Sequence, residues 1–134
     1  MSETLRFRVE KLIRDKLPAI MRAQGLQVFE RRLDDDAYIE ALKTKLAEEA
    51  GEAAESRNRD ELIGELADLA EVTRALMTAA GIDAAEVESA RLAKRLERGG
   101  FEGRIYNAAV AAEAGAPALD YYLARPGQYQ QAPE

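Results

Sequence analysis

Between Asp34 and Arg98 apolar residues recur at the three- and four-residue spacing of an α-helix, broken only by short polar interruptions. That punctuated rhythm restricts the chain to a helical hairpin with a third helix after it. Asp34-Asp35-Asp36 places side-chain acceptors and negative charge at a helix start. Ile39, Leu42, Leu46, Ala50 and Ala53 carry the first long helix to about Arg57. Asn58, Arg59 and Asp60 form a tight turn, with Asp60 or Asn58 as the next cap. Leu62, Leu66, Leu69, Thr73 and Leu76 mark a second long helix, which Gly81 stops. Asp83 caps a third helix with Val87, Ala90, Leu92 and Leu96 on a less regular face, ending at Gly99-Gly100. Two long helices joined by so short a turn lie antiparallel. Their apolar faces are narrow and two-sided, which favours further partners.

The flanks are less regular. Pro18 fits the first turn of a short helix running to about Gln24, with Asp15 or Lys16 near its cap and Gly25 as its terminator. Val28-Phe29 suits extended backbone, but no partner strand is visible. After Phe101 the pattern weakens into an Ala-rich stretch, Pro117 and the ending Arg-Pro-Gly-Gln-Tyr-Gln-Gln-Ala-Pro-Glu, a loosely packed tail. The expectation is an all-α antiparallel helical bundle with a short N-terminal element and an irregular C-terminal tail. Residues 1–106 form its domain and 107–134 a partly ordered extension; 134 residues suit one domain.

What the chain lacks narrows its chemistry. It has no cysteine and no histidine, which removes thiolate nucleophiles, Ser-His and Cys-His triads and almost all zinc or copper sites. Any catalysis must come from carboxylates, Lys, Arg, Tyr and hydroxyls, and carboxylates hold hard cations such as Mg²⁺ or Mn²⁺. A net charge of -6 argues against a nucleic-acid polymer as partner. No apolar run approaches a membrane span, and Met-Ser-Glu-Thr-Leu-Arg lacks the apolar stretch of a signal peptide. The expected setting is cytoplasmic, away from membranes.

The acids are arranged as no solvated helix needs them to be. Glu48-Glu49-Ala50-Gly51-Glu52 lies on the first long helix and Glu65-Leu66-Ala67-Asp68 on the second. At 100° per residue, Glu49 falls within roughly 40° of the centre of the Leu42/Leu46/Ala53 stripe, Glu52 at roughly 100°, and Glu48 further round. Glu65 and Asp68 lie roughly 60° and 120° from the centre of the Leu62/Leu66/Leu69 stripe. Burying an unpaired carboxylate is costly, and crowded carboxylates raise one another's pKa. A divalent cation resolves both problems. The i, i+3 pairs Glu49/Glu52 and Glu65/Asp68 on antiparallel helices make a four-carboxylate cage for one or more Mg²⁺. An EExxE string alone is ordinarily a solvated face, as Glu61, Glu71, Glu86 and Glu88 are expected to be. Here one acid sits on the apolar stripe and a second pair faces it. Gly51, costing about 1 kcal/mol inside a helix, suggests a close approach of ligand or helix.

Two basic clusters bracket the acids: Lys11-Leu12-Ile13-Arg14-Asp15-Lys16-Leu17-Pro18 and Lys94-Arg95-Leu96-Glu97-Arg98-Gly99-Gly100-Phe101. Lys94 and Arg98 are i, i+4 and could meet phosphates, although taken alone the cluster reads first as basic residues complementing the helix C-terminus they approach. Arg14 and Asp15 could equally form a structural ion pair.

The pattern EExxE, twelve residues, ExxD resembles that of the all-α, MazG-like nucleoside triphosphate pyrophosphohydrolases, a superfamily that includes phosphoribosyl-ATP pyrophosphohydrolase. With Lys-Leu-Ile-Arg-Asp-Lys-Leu-Pro before it and Glu-Arg-Gly-Gly-Phe after it, the likeness spans about residues 9–106 and points to the short phosphoribosyl-ATP pyrophosphohydrolase-like branch. It implies a homodimer or dimer of dimers that cleaves a nucleoside triphosphate between the α and β phosphates, with Mg²⁺ as cofactor and Mn²⁺ able to substitute. Glu49, Glu52, Glu65 and Asp68 would hold the metal. Glu48 would orient or deprotonate the attacking water, with Glu49 the alternative proton acceptor. Lys94 and Arg98, with Arg14 and Lys16 from the first cluster, would hold phosphates. Arg91 stands where many relatives have an asparagine, and Tyr38, Phe101 and Tyr106 are candidates for the base. Clearance of unwanted nucleotides is the expected role. Phosphoribosyl-ATP hydrolysis and a non-catalytic nucleotide-binding or dimerisation module are the alternatives.

Overall fold

The structure, a computed structural model, describes residues 2–133. It is all-helical: α1 (Leu17–Ala23), α2 (Asp35–Ala54), α3 (Arg59–Ala79), α4 (Ala84–Arg98) and α5 (Asp120–Leu123), with a 3-10 turn over Pro117–Leu119 and no strand among the described residues. Two compact units are present, one ending at Leu96 and the other beginning at Glu97.

In the first unit the helix boundaries follow from local chemistry. The Asp34 side chain accepts from the Ala37 amide at 2.9 Å and starts α2. Asn58, one of the two candidates, caps α3 by accepting from the Glu61 amide, while the Glu61 carboxylate accepts from the Arg57 amide. Asp83 and Glu86 form a reciprocal box at the start of α4: Asp83 Oδ1 accepts from Ala85 N, and Glu86 Oε2 from Asp83 N. Gly25 and Gly81 end their helices at φ of +89° and +69°, a conformation that a side chain would strain.

The α2/α3 hairpin is the principal helix–helix interface among the described residues. Its interior is thin. Leu42 and Val72 are buried, as is Pro18 of α1, and Glu49 is buried at 5% exposure. The face expected around Leu62, Leu66 and Leu69 is only partly covered: Leu69 is half-buried, while Leu62 and Leu66 stay 40% and 50% exposed. One partner helix covers a narrow strip, and the apolar surface of α3 is wider than that strip. On α4, Val87, Leu92 and Leu96 are all exposed, and no residue of that helix is buried. An added Cβ at Gly51 or at Gly64 would meet nothing within 4 Å, so the close approach inferred at Gly51 is not made by the described residues.

The residues before α2 lie as a clamped segment. Arg22 donates to the Val28 carbonyl and to Glu30 at 2.7 Å, and the Arg6 guanidinium stacks over Phe29 at 4.3 Å. Val28-Phe29 is therefore held by side chains rather than by strand pairing. Glu10, at a left-handed φ of 48°, precedes the Lys11–Pro18 run and faces Arg31 at 3.7 Å.

The second unit is an irregular tail with local structure near its end, and none of its described residues is buried. Pro117 opens the 3-10 turn that runs into α5. The rings of Tyr121, Tyr122 and Tyr129 meet with centroids 5.0 to 5.8 Å apart, and Arg125 lies over Tyr121 at 3.9 Å. Aromatic contacts of this kind have no helical period, so the spacing of apolar residues could not announce them.

Candidate metal and phosphate centre

Helical periodicity sets Glu49 on the buried side of α2, and the antiparallel register brings Glu65 and Asp68 of α3 opposite it. Each of the three offers a carboxylate oxygen within 4.8 Å of the others. Glu49 Oε2 and Glu65 Oε2 are fully buried and accept no hydrogen bond. Two lone carboxylate oxygens turned inward without donors are costly unless something positive lies between them. Hard oxygen donors converging in this way suit a hard divalent cation. Glu52 stands beside Glu65, and the effect on Glu65 is large. Burial, then the adjacent carboxylates of Glu52 and Glu49, push its pKa up to about 7. A carboxyl with its pKa raised in this way is in part protonated near neutrality, and a cation entering the cluster would compete with that proton.

Glu48 is set apart. Its carboxylate accepts from Lys11 Nζ at 3.3 Å and from Lys45 Nζ at 3.5 Å. Burial alone would raise its pKa, but the two ammonium groups outweigh that and hold it below the usual carboxylate value. Lys45 also lies 3.4 Å from Glu49 Oε1. It is the functional candidate that sequence reasoning passed over, although its i, i+3 and i, i+4 spacing to Glu48 and Glu49 was the available signal.

The Lys11–Pro18 run reaches the same place. Arg14 Nη2 donates to Asp68 Oδ1 at 2.7 Å, rather than pairing with its neighbour Asp15. Together with α2 and α3 it walls a cavity of about 420 Å³ whose lining includes Arg14, Lys16, Tyr38, Lys45, Glu49 and Asp68. A hollow of that volume falls in the range of small-molecule sites. Lys94 is exposed on α4 and lies outside that lining. Arg98 belongs to the second unit, where its Nε lies 4.0 Å from Glu97. Phe101 and Tyr106 are also in that unit and almost fully exposed. Arg91 forms a bidentate pair with Glu88 at 2.6 and 2.9 Å.

A family model of phosphoribosyl-ATP pyrophosphohydrolase matches residues 19–95, which include all five acids and Lys94. The chain belongs to that family. The family in turn falls within the MazG-like all-α superfamily, in agreement with the helical architecture. An uncharacterised protein of Mycolicibacterium smegmatis is 42% identical over 50 residues, which are 37% of this chain and 51% of that protein. The chain thus spans about half the length of this relative. No solved structure matches. The family match begins after Arg14 and Lys16, so the pairing of Arg14 with Asp68 comes from the structure alone.

Proposed function

We propose that the chain is a divalent-metal-dependent pyrophosphohydrolase that cleaves a nucleoside triphosphate between the α and β phosphates, releasing nucleoside monophosphate and pyrophosphate. The observation that carries this is the convergence of Glu49, Glu65 and Asp68, two of them with buried oxygens that lack donors, in a chain of a pyrophosphohydrolase family. Glu49, Glu52, Glu65 and Asp68 hold the ion, with Mg²⁺ the natural occupant and Mn²⁺ able to replace it. A bound ion of this type offsets charge on phosphate oxygens and lowers the pKa of water. Glu48, ionised but weakly basic between Lys11 and Lys45, suits orientation of the attacking water. Glu49, whose Oε2 is free of donors, suits acceptance of its proton. Arg14 and Lys16, lining the cavity, are placed to meet phosphates, and Lys94 and Arg98 on α4 are further phosphate candidates. Tyr38, in the cavity wall, is the better placed of the aromatic candidates for the base.

Nucleotide-pool house-cleaning is the role proposed, because the Lys-Leu-Ile-Arg-Asp-Lys-Leu-Pro and Glu-Arg-Gly-Gly-Phe motifs point to that branch. Phosphoribosyl-ATP is the second reading, favoured by the description of the matched family. A screen of canonical and modified triphosphates and phosphoribosyl-ATP with Mg²⁺, reading pyrophosphate against inorganic phosphate, separates the two. Binding without pyrophosphate release would instead indicate a non-catalytic module. The enzyme domain is assigned to residues 1–106, with 107–134 as an extension, and its setting to the cytoplasm. No helix among the described residues is long and apolar enough to cross a membrane. The exposed Leu62, Ile63 and Leu66 of α3, the uncovered face of α4 and the open space over Gly51 and Gly64 support assembly as a homodimer or dimer of dimers.

A further inference from the structure

Residues 11–16 cross the hairpin as a strap. Lys11 donates to Glu48 on α2 at 3.3 Å, and Arg14 donates to Asp68 on α3 at 2.7 Å. Between them Leu12 and Ile13 are half-buried, and Pro18 is buried just beyond. Apolar contact therefore holds the strap's backbone independently of Arg14. The Arg14 side chain is 62% exposed and, among the described residues, is held by Asp68, which is itself 42% exposed. An exposed pair of this kind is weak, favouring the paired form by a factor of roughly two to five.

Asp68 is also one of the three acids whose oxygens converge. A divalent ion coordinates carboxylate oxygen at about 2.1 Å and repels a guanidinium held at hydrogen-bond distance from the same carboxylate. The two cations cannot share Asp68 without cost. Arg14 lines the cavity with Lys16 and Lys45, and its planar fork matches phosphate oxygens better than it matches one oxygen of one carboxylate. We infer that Arg14 and the divalent ion compete for Asp68, and that Arg14, once displaced, turns to the phosphates of the substrate. This rests on the assignment of the acids as a cation site and adds an exchange to it: the ion that takes Asp68 also frees a phosphate ligand. The half-buried Leu12 and Ile13 keep the strap in place meanwhile, and the Lys11–Glu48 pair is untouched by the exchange because Glu48 is outside the converging set.

Titration calorimetry on the full chain tests this with two probes, Mn²⁺ alone and inorganic triphosphate in the presence of Mg²⁺. Arg14→Gln is expected to bind Mn²⁺ about three- to fivefold more tightly than wild type. The same variant is expected to bind Mg²⁺-triphosphate roughly tenfold more weakly. A merely structural arginine would not move the two affinities in opposite directions. If wild type binds Mn²⁺ and Arg14→Gln binds it equally or less tightly, the exchange is overturned while the cation site stands. If triphosphate affinity is unchanged in the variant, the transfer of Arg14 to phosphate is overturned. If wild type takes up no Mn²⁺, the cation site and the exchange both fail.

Discussion

Lys45 Nζ lies 3.4 Å from Glu49 Oε1, one helical turn away, with the two side chains only 22% and 7% exposed. A carboxylate that sheltered needs its counter-charge, and Lys45 divides its own between Glu49 and Glu48. Lys45→Gln is therefore expected to destabilise the chelator-treated protein by about 1–2 kcal/mol, below the full penalty for breaking a buried pair because Lys45 keeps some solvent contact. Saturating Mg²⁺ should recover most of the loss. Thermal melts with and without Mg²⁺ check this, and an equal loss in both conditions would remove Lys45 from the electrostatics of the centre.

Glu65 sets a pH dependence. Its folded pKa of about 7 stands above the ordinary 4.5, so between those values the folded chain binds more protons than the unfolded one. The stability it contributes is complete below about 4.5 and disappears as pH rises through about 7. Chelator-treated wild type should lose melting temperature across that window, and Glu65→Gln should flatten the slope. Mn²⁺ affinity should rise over the same interval, since cation and proton compete for one carboxylate. A slope unaltered in the variant would show that Glu65 does not titrate there.

Glu49→Gln and Asp68→Asn each remove a charge from the converging set while keeping its shape. Pyrophosphate release with Mg²⁺ should fall at least about 100-fold in both. Helical content by circular dichroism should persist, because the variants relieve repulsion among acids and leave Leu42 and Val72 packed. Asp68→Asn also gives up the exposed pair with Arg14, worth at most about 1 kcal/mol. Normal turnover by both variants would mean that the cluster is not the catalytic centre.

Assembly has its own test. Ile63 on α3 and Leu92 on α4 are 49% and 50% exposed. If a second copy covers them, Ile63→Glu and Leu92→Glu should each shift the mass measured by light scattering toward the monomer. A wild-type mass equal to one chain would leave these faces without a partner copy.

Much of the first unit is legible residue by residue, because caps and helix faces are local matters. Asp34, Asn58 and Asp83 satisfy helix amides, and Gly25 and Gly81 supply positive φ where α1 and α3 stop. The angular reckoning that set Glu49 near the middle of an apolar stripe agrees with its burial, since a period of 3.6 residues assigns faces whatever the helix later packs against. The pairing of Glu49 with Glu65 and Asp68 followed from the short turn between α2 and α3, which leaves an antiparallel register as the way to join them.

Contacts between distant residues were beyond that reach. Lys11 meets Glu48 across 37 positions, and Arg14 meets Asp68 across 54, bypassing the adjacent Asp15 that was its simplest partner. Nothing in a helical period describes the path of an extended strap, so only the folded chain could make these pairs. The same holds for the exposure of Leu62 and Leu66 and for the tyrosine cluster of the second unit. Local spacing says which residues share a side; how much of that side is covered depends on neighbours brought in by the rest of the fold.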